Sequence, residues 1–193
     1  SIEQGARYNA STAYIVRKAG VYRSEDAGAT WTFMSDWNPR PMYASQVIID
    51  PNDDQRIYML NAYSFSDNGG KTFTAPRTTT HGDDRFVWVN PTNSLHVVKL
   101  DDGGIGISYD RGNKFLYVTS LPLSQFYRVT TDNAVPFNIY GGLQDNGCWM
   151  GPSASWNTNG VLNDHFSRLC GGDGFHVTPN PLNSRTVYSA SQF

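Results

Sequence analysis

Apolar residues in this chain come in short runs, and a polar turn rich in Pro and Asn divides them in the same way four times. "IIDPNDDQRIYML", "WVNPTNSLHVVKL", "TTDNAVPFNIYGGL" and "VTPNPLNSRTVYSA" each read as apolar strand, turn, apolar strand. No helical period of comparable strength runs against this pattern. Between these units a polar octet recurs. "SEDAGATW" begins at Ser24, "SDNGGKTF" at Ser66 and "SYDRGNKF" at Ser108, so the spacing is 42 residues twice over.

Each octet follows S-x-D-x-G-x-T-W with graded decay. Asp26, Asn68 and Asp110 stand at the acidic position, and Trp31, Phe73 and Phe115 at the aromatic end. An Asp or Asn side chain accepts hydrogen bonds from backbone N–H groups two or so residues on. The glycine supplies a positive φ, and the ring is expected to pack beneath the turn. These six residues are therefore assigned structural roles, with the three rings in equivalent buried positions. For the unit after Ser24 the pattern predicts strands over Ser45–Asp50, Arg56–Leu60, Tyr63–Ser66 and Lys71–Thr74. Four antiparallel strands in about 40–45 residues is the period of a β-propeller blade. The expected fold is all-β, with about four blades of four antiparallel strands across residues 1–193, forming part of a larger closed propeller.

At this point the residues carry a resemblance. The octets at 24–31, 66–73 and 108–115 resemble the Asp-boxes of bacterial-neuraminidase-repeat propellers. "GGLQDNG" followed by "GGDGF", with "NPRPMYASQVIIDPND" and "SLPLSQFYRVTTDN", is similar to the sortilin-type propellers of secreted bacterial proteins. That likeness implies a secreted, periplasmic or cell-surface setting and a closed ring completed by blades from the same or another chain. Four blades lie near the lower limit of about 4 to 8. In "HGDDR", His81 and Asp83 match a His-rich family pattern, while Asp84 and Arg85 replace its histidines.

Blade geometry then sorts the loops. Turns from strand two to three share one face with the crossovers from strand four to the next strand one. "DWNPRP", "HGDDR", "LPLSQ", "CGGDG", "DDGG" and "QDNG" fall there, which gathers Asp83, Asp84, Asp101, Asp102, Asp145 and Asp173 on one rim. The ligand-binding candidates are Asp145, Asn146, Asp173, Asp83 and His81, with Arg40 and Trp37 as exposed partners. Asp and Asn before Gly are also ordinary turn formers, so both readings stand for these carboxylates. One His and two carboxylates could hold a hard cation such as Ca2+; no other cofactor is expected. His96, His165 and His176 fall in strand patterns and read as packing residues.

Cys148 and Cys170 would begin strand three and end strand four of one blade. They are expected to form a disulfide, with two buried thiols as the alternative. A bond closing this loop would stabilise by roughly 3 kcal/mol.

Composition narrows the function classes. A net charge of -2 with 17% charged residues provides no nucleic-acid footprint. No apolar run is long enough to span a membrane. No phosphate-cradling glycine loop precedes a helix. The leading expectation is a non-catalytic propeller that binds a peptide, protein or glycan at the channel mouth. The alternatives are a sialidase-like or xyloglucanase-like glycoside hydrolase and an assembly scaffold. A hydrolase needs paired carboxylates or a Tyr nucleophile with an acid, and a sialidase also needs an arginine cluster. The arginines here are scattered along the sequence.

Overall fold

The computed structural model describes residues 19–192, apart from 42, 44, 45, 61, 78–80, 119 and 122. The described residues form fifteen β-strands and one turn of 3-10 helix, and no α-helix. The chain divides into two compact units, residues 1–120 and 121–193.

In the first unit, β1 (Val21–Arg23) pairs with β2 (Thr32–Ser35). A three-stranded sheet follows, formed by β3 (Val47–Asp50), β4 (Asp53–Met59) and β5 (Ser64–Ser66). A four-stranded sheet comes next, formed by β6 (Asp84–Asn90), β7 (Asn93–Asp101), β8 (Gly104–Ser108) and β9 (Leu116–Val118). Every pairing is antiparallel, and spatial order follows chain order. The strand predicted at Lys71–Thr74 is reduced to one bridge between Thr74 and Phe65.

The second unit repeats the scheme. β10 (Phe126–Thr131), β11 (Asn138–Leu143), β12 (Gly147–Pro152) and β13 (Ser167–Cys170) make a four-stranded meander. β14 (Gly174–Asn180) and β15 (Asn183–Ser191) form a hairpin beside it. His165 lies in the 3-10 turn Asn163–His165, not in a strand. There its Nδ1 accepts the Leu162 N–H at 2.9 Å. A local side-chain bond has overridden the strand pattern.

Two apolar cores result from the period-2 alternation. In the first unit Tyr58, Leu60, Tyr63, Phe65, Val87, Val89, Val97 and Phe115 are buried together. In the second, Tyr140, Cys148 and Val177 are buried, with Met150, Leu169 and Val187 packed against them. Each large side chain withdrawn from water here contributes about 1.5–3 kcal/mol. Cys148 and Cys170 pair across β12 and β13 with a Cα separation of 4.7 Å, and they are disulfide-bonded.

The octets all make the same hydrogen-bonded turn at the end of a strand. In the first, the Ser24 hydroxyl accepts the Gly28 N–H at 2.7 Å, and Asp26 accepts the Thr30 N–H at 2.8 Å. In the second, Ser66 accepts from Gly70 at 2.9 Å and Asn68 from Thr72 at 2.9 Å. In the third, Ser108 accepts from Gly112 at 2.8 Å and Asp110 from Lys114 at 2.9 Å. The acceptor therefore reaches four residues on, not two, and the leading serine shares the work. The fourth position is left-handed in all three, as Ala27 (φ 56°), Gly69 (φ 67°) and Arg111 (φ 63°).

The aromatic ends differ, which corrects the expectation of three equivalent buried rings. Phe115 is 7% exposed and meets Tyr63 edge-on at 5.2 Å. Phe73 is half-buried and stacked on Trp37 at 5.7 Å. Trp31 is 48% exposed, and its Nε1 donates to Gly28 O at 3.0 Å. Its ring covers its own turn.

Candidate functional site

The candidate residues fall in both units. Trp37, Arg40, His81 and Asp83 belong to the first, and Asp145, Asn146 and Asp173 to the second.

In the first unit β6 begins where β7 ends, so Asp84 pairs in register with Asp101. Four carboxylates converge there, and each has a cation. Lys99, fully buried, donates to Asp84 and to Asp101, the latter at 3.1 Å. Asp84 also accepts the Tyr63 N–H at 3.0 Å. Arg85 grips Asp102 with two hydrogen bonds of 2.7 Å and donates to the Tyr43 hydroxyl at 2.7 Å. Asp102 first, and Tyr43 after it, raise the Arg85 guanidinium well above its ordinary pKa. Arg40 pairs with Asp83 and lies 4.8 Å from the Tyr43 ring centre. As a half-exposed ion pair this contact is worth about 0–1 kcal/mol.

These interactions give "DDGG" and "HGDDR" a structural task. The Gly103 N–H donates to Asp101 at 3.0 Å. A Cβ on Gly103 would sit 2.3 Å from the Tyr117 hydroxyl and 2.5 Å from His81 Cβ, so only glycine fits. Trp37 departs from its expected exposure. It is half-buried, stacks on Phe73 and donates from Nε1 to Ser64 at 3.0 Å. The apolar ring finds an aromatic partner and its N–H an acceptor, which accounts for its burial.

In the second unit the turn Gln144–Asn146 and the loop Gly171–Asp173 are bound to each other. The Asp145 N–H donates to Asp173 Oδ1 at 2.7 Å, and the Gly147 N–H to Gly172 O at 2.8 Å. Asp145 adopts a left-handed φ of 59°. A Cβ on Gly142 would meet Gly174 O at 2.2 Å, and one on Gly174 would meet Gly147 O at 2.3 Å. The glycines of "GGLQDNG" and "GGDGF" thus let two backbones touch, which brings Asp145, Asn146 and Asp173 together. The disulfide clamps the same end, because Cys148 follows Gly147 and Cys170 precedes Gly171.

An aromatic pair borders these carboxylates. Tyr127 and Phe175 lie 5.2 Å apart, centre to centre, and Tyr127 is 43% exposed. Partial burial, then Asp173 and Asp145, raise the Tyr127 phenol above its ordinary pKa. Tyr127 was missed from the sequence because it opens an apolar strand and is not in a turn. Its position beside "GGDGF" is evident only once β10 is seen to lie against β14. The site thus combines an accessible aromatic surface, two half-buried carboxylates and the Asn146 amide. Such a surface can stack on an apolar ring face and accept hydrogen bonds from hydroxyl groups.

No family model matches the chain, and no curated protein matches it. Among solved structures it is similar to a GH74 xyloglucanase from Xanthomonas campestris, at 13% identity and a TM-score of 0.50. That match covers 80% of this chain and 31% of the xyloglucanase. A GH74 enzyme from Niastella koreensis matches at 14% identity and a TM-score of 0.43, over 91% of this chain and 30% of the enzyme. The chain therefore spans under a third of the length of either enzyme. At 13% identity the likeness to the Xanthomonas campestris enzyme is one of fold.

Proposed function

We propose that this chain is a segment of a secreted β-propeller of the Asp-box, sortilin-type kind, and that its second unit binds a neutral glycan without cleaving it. The observation that carries the binding reading is the Tyr127–Phe175 pair beside Asp145 and Asp173. Sugars offer an apolar face for aromatic stacking and a rim of hydroxyl donors for carboxylates. The 42-residue spacing of the octets, which follow β1, β5 and β8, supports the propeller reading. The disulfide is compatible with an oxidising compartment.

Cleavage is disfavoured on chemical grounds. In the first unit Asp83, Asp84, Asp101 and Asp102 are each paired with Arg or Lys. In the second, Asp173 is engaged by the Asp145 backbone. A Tyr nucleophile needs a readily ionised phenol, whereas partial burial first, then Asp173 and Asp145, push Tyr127 the other way. The hydrolase reading remains the second choice because of the fold likeness to a xyloglucanase.

Affinity electrophoresis of the full chain in gels containing xyloglucan, mixed-linkage β-glucan or a sialylated glycan tests both readings. Retardation by a neutral glucan, weakened about tenfold or more by Tyr127→Ala, is the expected result. Migration unaffected by every glycan would overturn binding, and release of reducing sugar would establish the hydrolase.

A further inference from the structure

The buried group Lys99–Asp84–Asp101 in the first unit has no part in the glycan reading, and its geometry is that of a reaction centre. Lys99 is 0% exposed, Asp84 4% and Asp101 8%. Lys99 Nζ touches Asp84 Oδ1 and lies 3.1 Å from Asp101 Oδ2. The Tyr63 ring centre is 5.6 Å from Nζ and that of Phe115 5.8 Å, and Nζ also faces His81 O at 3.4 Å. The Tyr63 N–H points at the other Asp84 oxygen, Oδ2, at 3.0 Å. A nucleophile, a carboxyl group, a donor to its oxygen and a nearby base are therefore assembled in one place.

We propose that Lys99 and Asp84 condense into an intramolecular isopeptide bond, with Asp101 as the proton relay. In the first step Nζ passes one proton to Asp84, its hydrogen-bond partner, which frees the nitrogen lone pair. The Nζ lone pair attacks Asp84 Cγ, and the carbonyl electron pair moves onto Oδ2. The Tyr63 N–H stabilises that developing charge. Asp101 takes a proton from Nζ and delivers it to Oδ1, which departs as water while the carbonyl re-forms at Oδ2. One N–C bond forms, one C–O bond breaks and one water leaves. Nothing is oxidised or reduced. Asp101 ends as the carboxylate it began as, and the net charge of the three groups is unchanged. The product ties the start of β6 to β7 covalently, and Oδ2 keeps its hydrogen bond from Tyr63.

Intact-mass measurement of the purified full chain under denaturing conditions reads the bond directly. The expected mass is that of the sequence less the two disulfide hydrogens and less one further water. Proteolysis should then yield a branched peptide joining the segment of Asp84 to that of Lys99. Lys99→Met should abolish the water loss, and Asp101→Asn should abolish or greatly slow it. If either variant fails to fold, the measurement on the unmodified chain still decides. A mass short of only the disulfide hydrogens would overturn the proposal. So would a water loss mapped to a linear peptide, as from cyclic imide formation at Asp102–Gly103, or one that persists in Lys99→Met.

Discussion

The first and third octets make the same turn in two different settings. Both use a serine hydroxyl and an Asp carboxylate to bind N–H groups four residues on, and both have a left-handed fourth residue. Around the third octet, Arg56 and Tyr58 donate to Arg111 O, and Tyr63 donates to Gly112 O at 2.9 Å. Its Phe115 is in the core. Around the first, Trp31 returns to its own Gly28, and the turn stays exposed. The repeated signature specifies a local loop through bonds within eight residues. Whether that loop carries much stability depends on the sheet packed against it.

The largest expected contrast is at the aromatic position. Phe115→Ala should cost about 3–5 kcal/mol by opening a cavity. Trp31→Ala should cost only about 0.5–1 kcal/mol. Denaturant unfolding of the two variants checks this, and equal losses would break the comparison. Next come the serines. Ser108→Ala leaves a buried Gly112 N–H without its acceptor and should cost about 1–3 kcal/mol. Ser24→Ala exposes its N–H to water and should cost clearly less in the same assay.

Backbone strain gives a smaller effect of opposite sign. Ala27 holds φ 56° where the second octet has Gly69. Ala27→Gly should therefore raise the melting temperature, by the equivalent of about 1 kcal/mol. Gly69→Ala should lower it, because the added Cβ would also meet Arg23 and Gln55 at about 3 Å.

The smallest effect is electrostatic. Hydrogen bonds from the Thr30 hydroxyl and N–H, and from Ser24, lower the Asp26 pKa to about 2. The unfolded carboxyl titrates near about 3.9. A depressed folded pKa contributes stability that is complete above the unfolded value and is lost as pH falls towards the folded one. Stability should therefore drop slightly between about pH 4 and pH 2. Asn68 makes the same turn with an uncharged amide. Asp26→Asn should keep the fold and remove that share of the acid sensitivity in melting curves taken across the window.

Much of this architecture was legible in the sequence because its causes are local. The strand pairs, the octet turns and the Cys148–Cys170 pairing follow from alternation, turn chemistry and position along adjacent strands. What escaped depends on partners distant in sequence. "HGDDR" and "DDGG" read as an acidic rim, but the pairing of Asp84 with Asp101 places Lys99 between them, and Arg85 reaches Asp102 across 17 residues. Trp37 read as exposed because its partners, Ser64 and Phe73, lie 27 and 36 residues further on. In the second unit the glycine-rich motifs mark the two turns that bring Asp145 and Asp173 together. The aromatic pair near them, Tyr127 and Phe175, sits at strand positions that read as ordinary core.

Calorimetric titration of the full chain with xyloglucan oligosaccharides tests the proposed glycan-binding role of that second-unit surface most directly. Tyr127 is substantially exposed and Asp173→Asn preserves an acceptor for the Asp145 N–H, so both Tyr127→Ala and Asp173→Asn should leave the melting temperature nearly unchanged. The expected result is saturable binding by the unmodified chain, weakened about tenfold or more by each substitution. Binding that survives both substitutions at full strength, or no binding of any neutral glucan, would contradict the assignment.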